Sequence, residues 1–199
     1  MLNERPTVAH LVSSYLFATG SWIYTQLVNL KRFRPVVLTG KVENLDQFPF
    51  EPVHCYPQPF VGNRLWQIAL RRGFEFATRS QERYYLSNIE SEHAKLLHAH
   101  FATEGYYFLG VKRRSNLPLI TTCYGADISR LPIERPKWRQ RYQRLFDEGA
   151  LFLAEGPHMA QAIVDLGCPA GKVRVQHLGV DIERIRFQSR SLRTGEPER

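Results

Sequence analysis

Directly after several short apolar runs, the chain carries residues whose side chains or backbone groups could bind a ligand. They are Thr19, Gly20, Ser21, His98, His100, Tyr124, Gly125, Asp127 and Glu155. If the apolar runs are strands of an open parallel sheet, their carboxyl ends meet at one edge, and ligands bind in the crevice beyond that edge. The arrangement therefore predicts a single cleft lined by these groups.

Two of these groups suggest particular chemistry. Gly20 opens a helix after a strand, where backbone N–H groups at the positive helix end can hold a phosphate; an ordinary strand–helix turn explains it equally well. His98 and His100 share one face of a strand and could contact a metal or a sugar, although one of them could equally be a core histidine. A metal needs a third ligand, which the sequence does not identify. We therefore expect no metal and favour His100, nearest the strand end, as a sugar contact.

Two carboxylates complete the predicted cleft. Asp127 could accept hydrogen bonds from sugar hydroxyls or could cap the loop that follows it, and we favour the sugar. Glu155 stands at a strand end. Burying an unpaired carboxylate costs free energy, so a carboxylate found in such a place is a candidate for a functional role. The alternative for Glu155 is an interaction with the positive end of the next helix.

Common catalytic signatures are absent from the sequence. It contains no Ser-His-Asp order, no H-E-x-x-H, no G-x-x-x-x-G-K-[ST] and no G-x-G-x-x-G. This removes the commoner hydrolase, metalloprotease, NTPase and dinucleotide-binding functions.

The elements that must position these residues alternate regularly along the chain. Strands are predicted at Val8–Leu16, Pro35–Thr39, Val53–Tyr56, Ala94–Ala99, Leu117–Tyr124, Ala150–Ala154 and Val173–His177. Helices are predicted from Trp22 with Ser21 as N-cap, within 62–88, and at Gly105–Arg114, Trp138–Phe146 and Pro157–Leu166. Repeated strand–helix units predict an α/β fold, a Rossmann-like, doubly wound parallel sheet.

The composition is that of one globular domain. Of the 199 residues, 43% are hydrophobic and 23% charged, which is ordinary for a domain with a single core. No apolar run approaches the roughly 18 residues of a spanning helix, and the first residues lack the apolar stretch of a secretory signal. Cys55, Cys123 and Cys168 lie outside any C-x-x-C pattern, so we expect reduced thiols in a cytoplasmic protein.

The formal charge of +8 favours an anionic partner, although many basic domains bind none. Basic residues with interleaved aromatic ones could rest on anionic lipid at the inner face of the cell membrane, and plain solvated helix faces are the alternative. These residues are Arg64, Arg71, Arg72, Arg79 and the run 135–142. No nucleic-acid-binding motif is present, so we expect no nucleic acid partner.

Five segments together resemble family 4 retaining glycosyltransferases. They are HLVSSYLFATGSWIY (10–24), HAHFATEG (98–105), TTCYGADIS (121–129), FLAEGPHM (152–159) and HLGVDIER (177–184). Within the family they are most similar to bacterial exopolysaccharide enzymes of the colanic acid and amylovoran type. Each motif is short, but their order and spacing extend the resemblance from Thr7 to Phe187.

The resemblance implies a GT-B enzyme with two facing Rossmann-like domains, the first binding the acceptor and the second a nucleotide sugar. Transfer would retain the anomeric configuration, with a nucleotide-sugar co-substrate, no cofactor and usually no metal. By position, the Gly20 loop lines the cleft and His100 lies beside the acceptor. Tyr124 stands where many relatives have the histidine of His-Gly-x-Asp, so that histidine's contact to the transferred sugar is not carried over.

Residues 1–187 are accordingly expected to be the acceptor-side domain and 188–199 a linker or disordered tail, with the donor-binding domain absent. We expect the isolated chain to be inactive and to need a donor domain in cis or in trans. The implied acceptor is a growing exopolysaccharide or a lipid-linked oligosaccharide, for example one linked to polyprenyl diphosphate. The alternative is a non-catalytic α/β binding module, or a subunit that completes a site in trans.

Overall fold

An open sheet of seven parallel strands forms the centre of the domain. The structure is a computed structural model and describes residues 5–17, 20–57, 79–180 and 187. The strands are β1 (Thr7–Tyr15), β2 (Arg34–Val42), β3 (Val53–Cys55), β4 (Ala94–His100), β5 (Leu119–Cys123), β6 (Leu151–Ala154) and β7 (Val173–Val175). Their order in the sheet is β3-β2-β1-β4-β5-β6-β7. The predicted Rossmann-like, doubly wound α/β fold is confirmed.

Helices connect the strands and cover both faces of the sheet. They are α1 (Ser21–Val28), α2 (Arg79–Ser91), α3 (Ala102–Tyr107), α4 (Leu109–Ser115), α5 (Ala126–Ser129), α6 (Leu131–Glu134), α7 (Lys137–Glu148) and α8 (Pro157–Asp165), and a 3₁₀ turn spans Ala170–Lys172. No helix in the described ranges has the length and apolar character needed to cross a bilayer.

The two faces of the sheet carry separate apolar clusters. On one face Leu11 and Leu97 join a large cluster that includes Phe146 of α7. On the other, Val12 packs with Ile23 and Leu27 of α1. Neighbouring residues of β1 point to opposite faces, so its almost continuous apolar sequence serves both clusters. Each fully buried Leu, Ile or Phe stabilises the fold by about 1.5–3 kcal/mol.

The chain reverses its direction of travel across the sheet between β1 and β4. β1 leads outward to β2 and β3, whereas β4 starts beside β1 and the later strands continue the other way. Such a switch point leaves a crevice beyond the carboxyl ends of the two strands. The loops after β1, β4 and β5 are therefore positioned to line one cleft.

Several helix boundaries differ from the predicted ones. Gly20, not Ser21, is the N-cap of α1, and its carbonyl accepts the Ile23 N–H at 3.1 Å. The predicted helix 105–114 is two helices, α3 and α4, and α3 begins early because a distant carboxylate caps its first N–H, as described below. Two short helices, α5 and α6, were not predicted. Of the helix predicted within 62–88, the part before residue 79 lies outside the described residues.

Candidate functional site

A pocket of about 320 Å³ opens at the carboxyl edge of the sheet. It is lined by Trp22, Phe101, Tyr124, Ala126, Asp127, Glu155 and Leu178. Tyr124, Asp127 and Glu155 were predicted as cleft residues, and they come together although they follow two different strands. Gly125 lies between two lining residues, and Ser21 precedes Trp22 at the start of α1. Thr19 lies outside the described residues.

Three aromatic side chains form one wall of this pocket. The ring centroids of Trp22 and Tyr124 are 5.7 Å apart, and those of Phe101 and Tyr124 are 4.9 Å apart. The indole Nε1 of Trp22 is buried and makes no hydrogen bond within the described part of the chain. The wall therefore presents apolar ring surface, not the indole N–H, to the pocket. Sequence reasoning missed Trp22 and Phe101, although each lies beside a predicted cleft residue.

The backbone is strained where the aromatic wall meets the sheet. Phe101 has φ 82° and ψ 144°, a region that residues with a side chain rarely adopt and that costs about 1–3 kcal/mol. Its N–H donates to the Thr122 carbonyl at 2.8 Å, which holds this conformation. Gly125 has φ 126° and ψ −92°, which only glycine adopts readily. Both residues turn the chain at the mouth of the pocket.

Asp127 ties two strand ends together. Its Oδ2 accepts the Ala102 N–H at 2.8 Å and its Oδ1 accepts the Tyr124 N–H at 3.2 Å. Burial raises the pKa of this carboxyl, and the N–H donors oppose that effect. The geometry supports the capping alternative for Asp127, because both oxygens serve backbone groups. It caps α3 across space rather than the loop that follows it.

Glu155 has a different environment from Asp127. It follows β6, is half-buried, and makes no hydrogen bond among the described residues. Burial raises its pKa, and the nearby charge of Asp127 adds to the effect. Its carboxylate is therefore available to accept hydrogen bonds from a ligand in the pocket.

The loop at Gly20 has the geometry of an ordinary turn. The Gly20 N–H donates to the Phe17 carbonyl at 2.7 Å, so this donor is already used. A Cβ on Gly20 would lie 2.9 Å from Phe17 Cε1. Close packing against Phe17 thus accounts for the glycine as part of a strand–helix turn.

His98 and His100 lie behind the pocket with a third histidine that the sequence did not indicate. His10 of β1 is in register with His98, and its Nδ1 is 3.0 Å from His100 Nε2. His100 Nδ1 is in turn 2.7 Å from the hydroxyl of Tyr124. Burial lowers the pKa of all three imidazoles, to about 4 for His98. His100 therefore reaches the pocket through Tyr124 rather than lining it.

A second buried carboxyl, Glu104 of α3, was also missed. Its Oε2 accepts a hydrogen bond from the Ser13 hydroxyl at 2.5 Å. Burial raises the pKa of Glu104 to about 7, and the Ser13 hydrogen bonds oppose the rise. This carboxyl does not line the pocket, so we expect it to affect the stability of the fold and not ligand binding.

Comparison with known proteins agrees with this architecture. HepE of Anabaena in complex with UDP and glucose is 14% identical, with a TM-score of 0.61 over 88% of this chain and 45% of its own. UDP-N-acetylglucosamine 2-epimerase from Rickettsia bellii is 11% identical, with a TM-score of 0.59 over 88% and 45%. A glycosyltransferase from Rickettsia africae ESF-5 is 15% identical, with a TM-score of 0.54 over 91% and 45%. No curated protein sequence matches significantly.

These likenesses concern the fold, and the chain spans under half the length of each of these structures. The family assignment comes from the sequence itself. A model described as Glycosyltransferase Family 4 matches residues 26–184, which include the strand ends that form the pocket except for β1. The chain therefore belongs to glycosyltransferase family 4, and its sheet is the N-terminal, Rossmann-like half of a GT-B fold.

Proposed function

We propose that this domain is the acceptor-binding side of a retaining glycosyltransferase, and that the pocket at its sheet edge holds one sugar residue of the acceptor. The observation that carries the proposal is the pairing, in one pocket of a family 4 chain, of an aromatic wall with Glu155, a carboxylate that has no hydrogen-bond partner among the described residues. The acceptor would be a growing exopolysaccharide or a lipid-linked oligosaccharide, for example one carried on polyprenyl diphosphate.

The chemistry of the pocket favours an uncharged sugar ring over a diphosphate. Aromatic faces suit the apolar C–H faces of a sugar, and a carboxylate accepts hydrogen bonds from its hydroxyls. Asp127 and Glu155 would repel a phosphate placed between them. The volume, about 320 Å³, is at the lower end of the roughly 300–1,000 Å³ typical of ligand pockets. One sugar unit fits better than a nucleotide sugar.

The nucleotide sugar would then be bound by a second domain, supplied in cis or in trans. HepE, whose structure contains UDP and glucose, is more than twice as long as the aligned region. We propose that residues 1–187 form the acceptor-side domain and that the isolated chain transfers no sugar; the predicted linker, 188–199, lies outside the described residues. A non-catalytic binding module is the alternative.

Binding is tested by saturation-transfer NMR on the isolated chain with a panel of neutral hexoses and N-acetylhexosamines. Glu155→Gln and Trp22→Leu should each lower the affinity for the sugar about five- to tenfold, equivalent to about 1–1.4 kcal/mol of binding free energy. The matched control is Glu134→Gln. It changes an exposed carboxylate of α6 that forms an ion pair with Arg130. Equal binding by all variants, or no binding to any sugar, would refute the pocket assignment.

Catalysis is tested separately by adding donor-domain chains of family 4 enzymes to the isolated chain, with UDP-sugars and lipid-linked acceptors. Transfer is expected only in the mixture, and its product should keep the donor's anomeric configuration. Sugar binding without transfer in any mixture would favour the binding-module alternative.

We further propose that the domain works at the cytoplasmic face of the membrane, resting on anionic lipid. Trp138 and Tyr142 of the basic run 135–142 are buried in the core, so these aromatic residues do not take part. Arg135 and Arg139 are exposed, and Ile133, two residues before Arg135, is 70% exposed. Charged and apolar groups together suit an interfacial contact.

Vesicle flotation tests this contact. The wild-type chain should float with vesicles containing anionic lipid and not with neutral ones, and a double Arg135→Glu, Arg139→Glu variant should lose the interaction. The control is a double Arg5→Glu, Arg32→Glu variant, which changes the net charge by the same amount at another part of the surface and should float like the wild type. Equal flotation of both double variants would contradict docking through α6 and α7.

A further inference from the structure

Three histidines converge on one face of the sheet, in the interior of the domain. His10 on β1 is in register with His98 on β4, and His100 follows two residues later. One ring nitrogen of each lies within 4.8 Å of one from each of the others. The ring centroids are between 4.7 and 5.3 Å apart. Spacing along β4 pairs His98 with His100, and the fold supplies the third imidazole.

The outer nitrogens of two of these rings are fixed by hydroxyl groups. His98 Nε2 lies 2.7 Å from Thr122 Oγ1, and His100 Nδ1 lies 2.7 Å from the Tyr124 hydroxyl. When these nitrogens donate their N–H to the hydroxyl oxygens, His98 Nδ1 and His100 Nε2 keep their lone pairs. A hydrogen bond from the non-coordinating nitrogen is the usual support of a metal-binding histidine.

Of the two ring nitrogens of His10, only one has a hydrogen-bond partner among the described residues. Its Nδ1 faces His100 Nε2 at 3.0 Å, and its Nε2 is buried with no hydrogen-bond partner in the described ranges. Its side chain is essentially inaccessible, with 2% of its surface exposed. A buried unsatisfied nitrogen costs about 1–3 kcal/mol. Hydrogen bonding within the protein therefore does not complete this cluster.

The hydrogen bonds indicate where the ring protons lie in the absence of a metal. When His100 Nδ1 donates to Tyr124, its Nε2 accepts, and the proton between the two rings is on His10 Nδ1. An ion bound by His10 Nδ1 and His100 Nε2 takes the place of this proton, which passes to His10 Nε2 and leaves the imidazole neutral.

We propose that His10, His98 and His100 form a binding site for a divalent transition-metal ion such as zinc. Neutral imidazoles favour zinc, copper and nickel over magnesium or calcium. In a tetrahedral zinc site the ligand nitrogens are about 3.4 Å apart. The His10–His100 pair, at 3.0 Å, is close to that spacing, and a ring nitrogen of His98 lies within 4.8 Å of both. A three-histidine set leaves a fourth position for water.

The ion would join β1 to β4 at the switch point and would fix His100, which holds the hydroxyl of pocket residue Tyr124. Its expected role is to order the pocket wall. The inference does not depend on the proposed sugar specificity, because it rests on the histidine geometry alone.

The test measures zinc binding to the tag-free chain after treatment with a chelator. Isothermal titration gives stoichiometry and affinity, and Co²⁺ absorption reports coordination. His98→Gln removes the least buried of the three ligands, whereas His158→Gln removes an exposed histidine of α8 and serves as the control. Wild type and His158→Gln should each bind one equivalent of zinc. His98→Gln should bind at least tenfold more weakly, and zinc should no longer raise its thermal midpoint.

Equal zinc binding by His98→Gln and wild type would overturn the proposal, as would wild-type protein that binds no zinc. If circular dichroism shows that His98→Gln does not fold, the wild-type Co²⁺ spectrum decides. Intense visible bands of a four- or five-coordinate nitrogen site support the proposal, and the weak bands of hydrated Co²⁺ overturn it.

Discussion

Replacing Asp127 should destabilise the domain far more than replacing its pocket neighbour Glu155. Asp127→Ala leaves the N–H groups of Ala102 and Tyr124 without their carboxylate acceptors. Hydrogen bonds to a charged group contribute about 1.5–3 kcal/mol each, and relief from burying the carboxyl offsets part of this loss. We therefore expect Asp127→Ala to lower the free energy of unfolding by about 3 kcal/mol, a large share of the roughly 5–15 kcal/mol typical of domains.

Urea unfolding followed by far-UV circular dichroism measures this difference. With a denaturant slope of about 1–3 kcal/mol per molar urea, the midpoint should fall by at least about 1 M. Asp127→Asn should lie in between, because its amide oxygen still accepts one N–H. Glu155→Ala should stay within about 0.5 kcal/mol of wild type, as is usual for residues without bonded partners. Similar midpoints for Asp127→Ala and Glu155→Ala would refute the assignment of Asp127 as the tie between strand ends.

Three further substitutions follow from the same structure. Glu104→Gln should remove a pH dependence of stability. In the wild type the folded-state pKa of Glu104, about 7, lies above its ordinary value, so the folded protein holds this proton more tightly than the unfolded chain. The free energy of unfolding of the wild type therefore falls as pH rises from about 4.5 to 7, by about 3 kcal/mol at roughly 1.4 kcal/mol per pH unit. Unfolding of both proteins at pH 5 and pH 8 checks this, and parallel curves would contradict it. Gly105→Ala should cost about 1–3 kcal/mol in thermal or urea melts, because its Cβ would lie 2.6 Å from Thr121 Oγ1 in a packed core; an unchanged melt would show that the helix can shift. Gly125→Ala meets no atom within 4 Å, so any loss, expected at about 1–3 kcal/mol, reports backbone strain alone. Full stability of this variant would show that the turn tolerates a side chain.

Much of the architecture follows from local patterns in the sequence. Apolar runs of four to nine residues alternate with amphipathic segments, and this alternation identifies a doubly wound sheet and all seven of the strands in the described residues. Helix boundaries were less predictable because distant groups set them. α3 begins at Ala102 because Asp127, 25 residues later, accepts its first N–H. No local motif around Ala102 encodes that contact.

The site shows the same division. The sequence alone determined the family and the strand-end groups, because motif spacing and the carboxyl edge of a parallel sheet are properties of chain order. It could not bring His10 to His98, which is 88 residues away, because their meeting depends on the register of β1 with β4. It could not separate the bonded carboxylate Asp127 from the available one, Glu155, because hydrogen bonds to backbone N–H groups depend on how the strand ends turn. Local patterns specify which elements form, whereas only tertiary packing decides which side chains face one another and which of them remain free to bind.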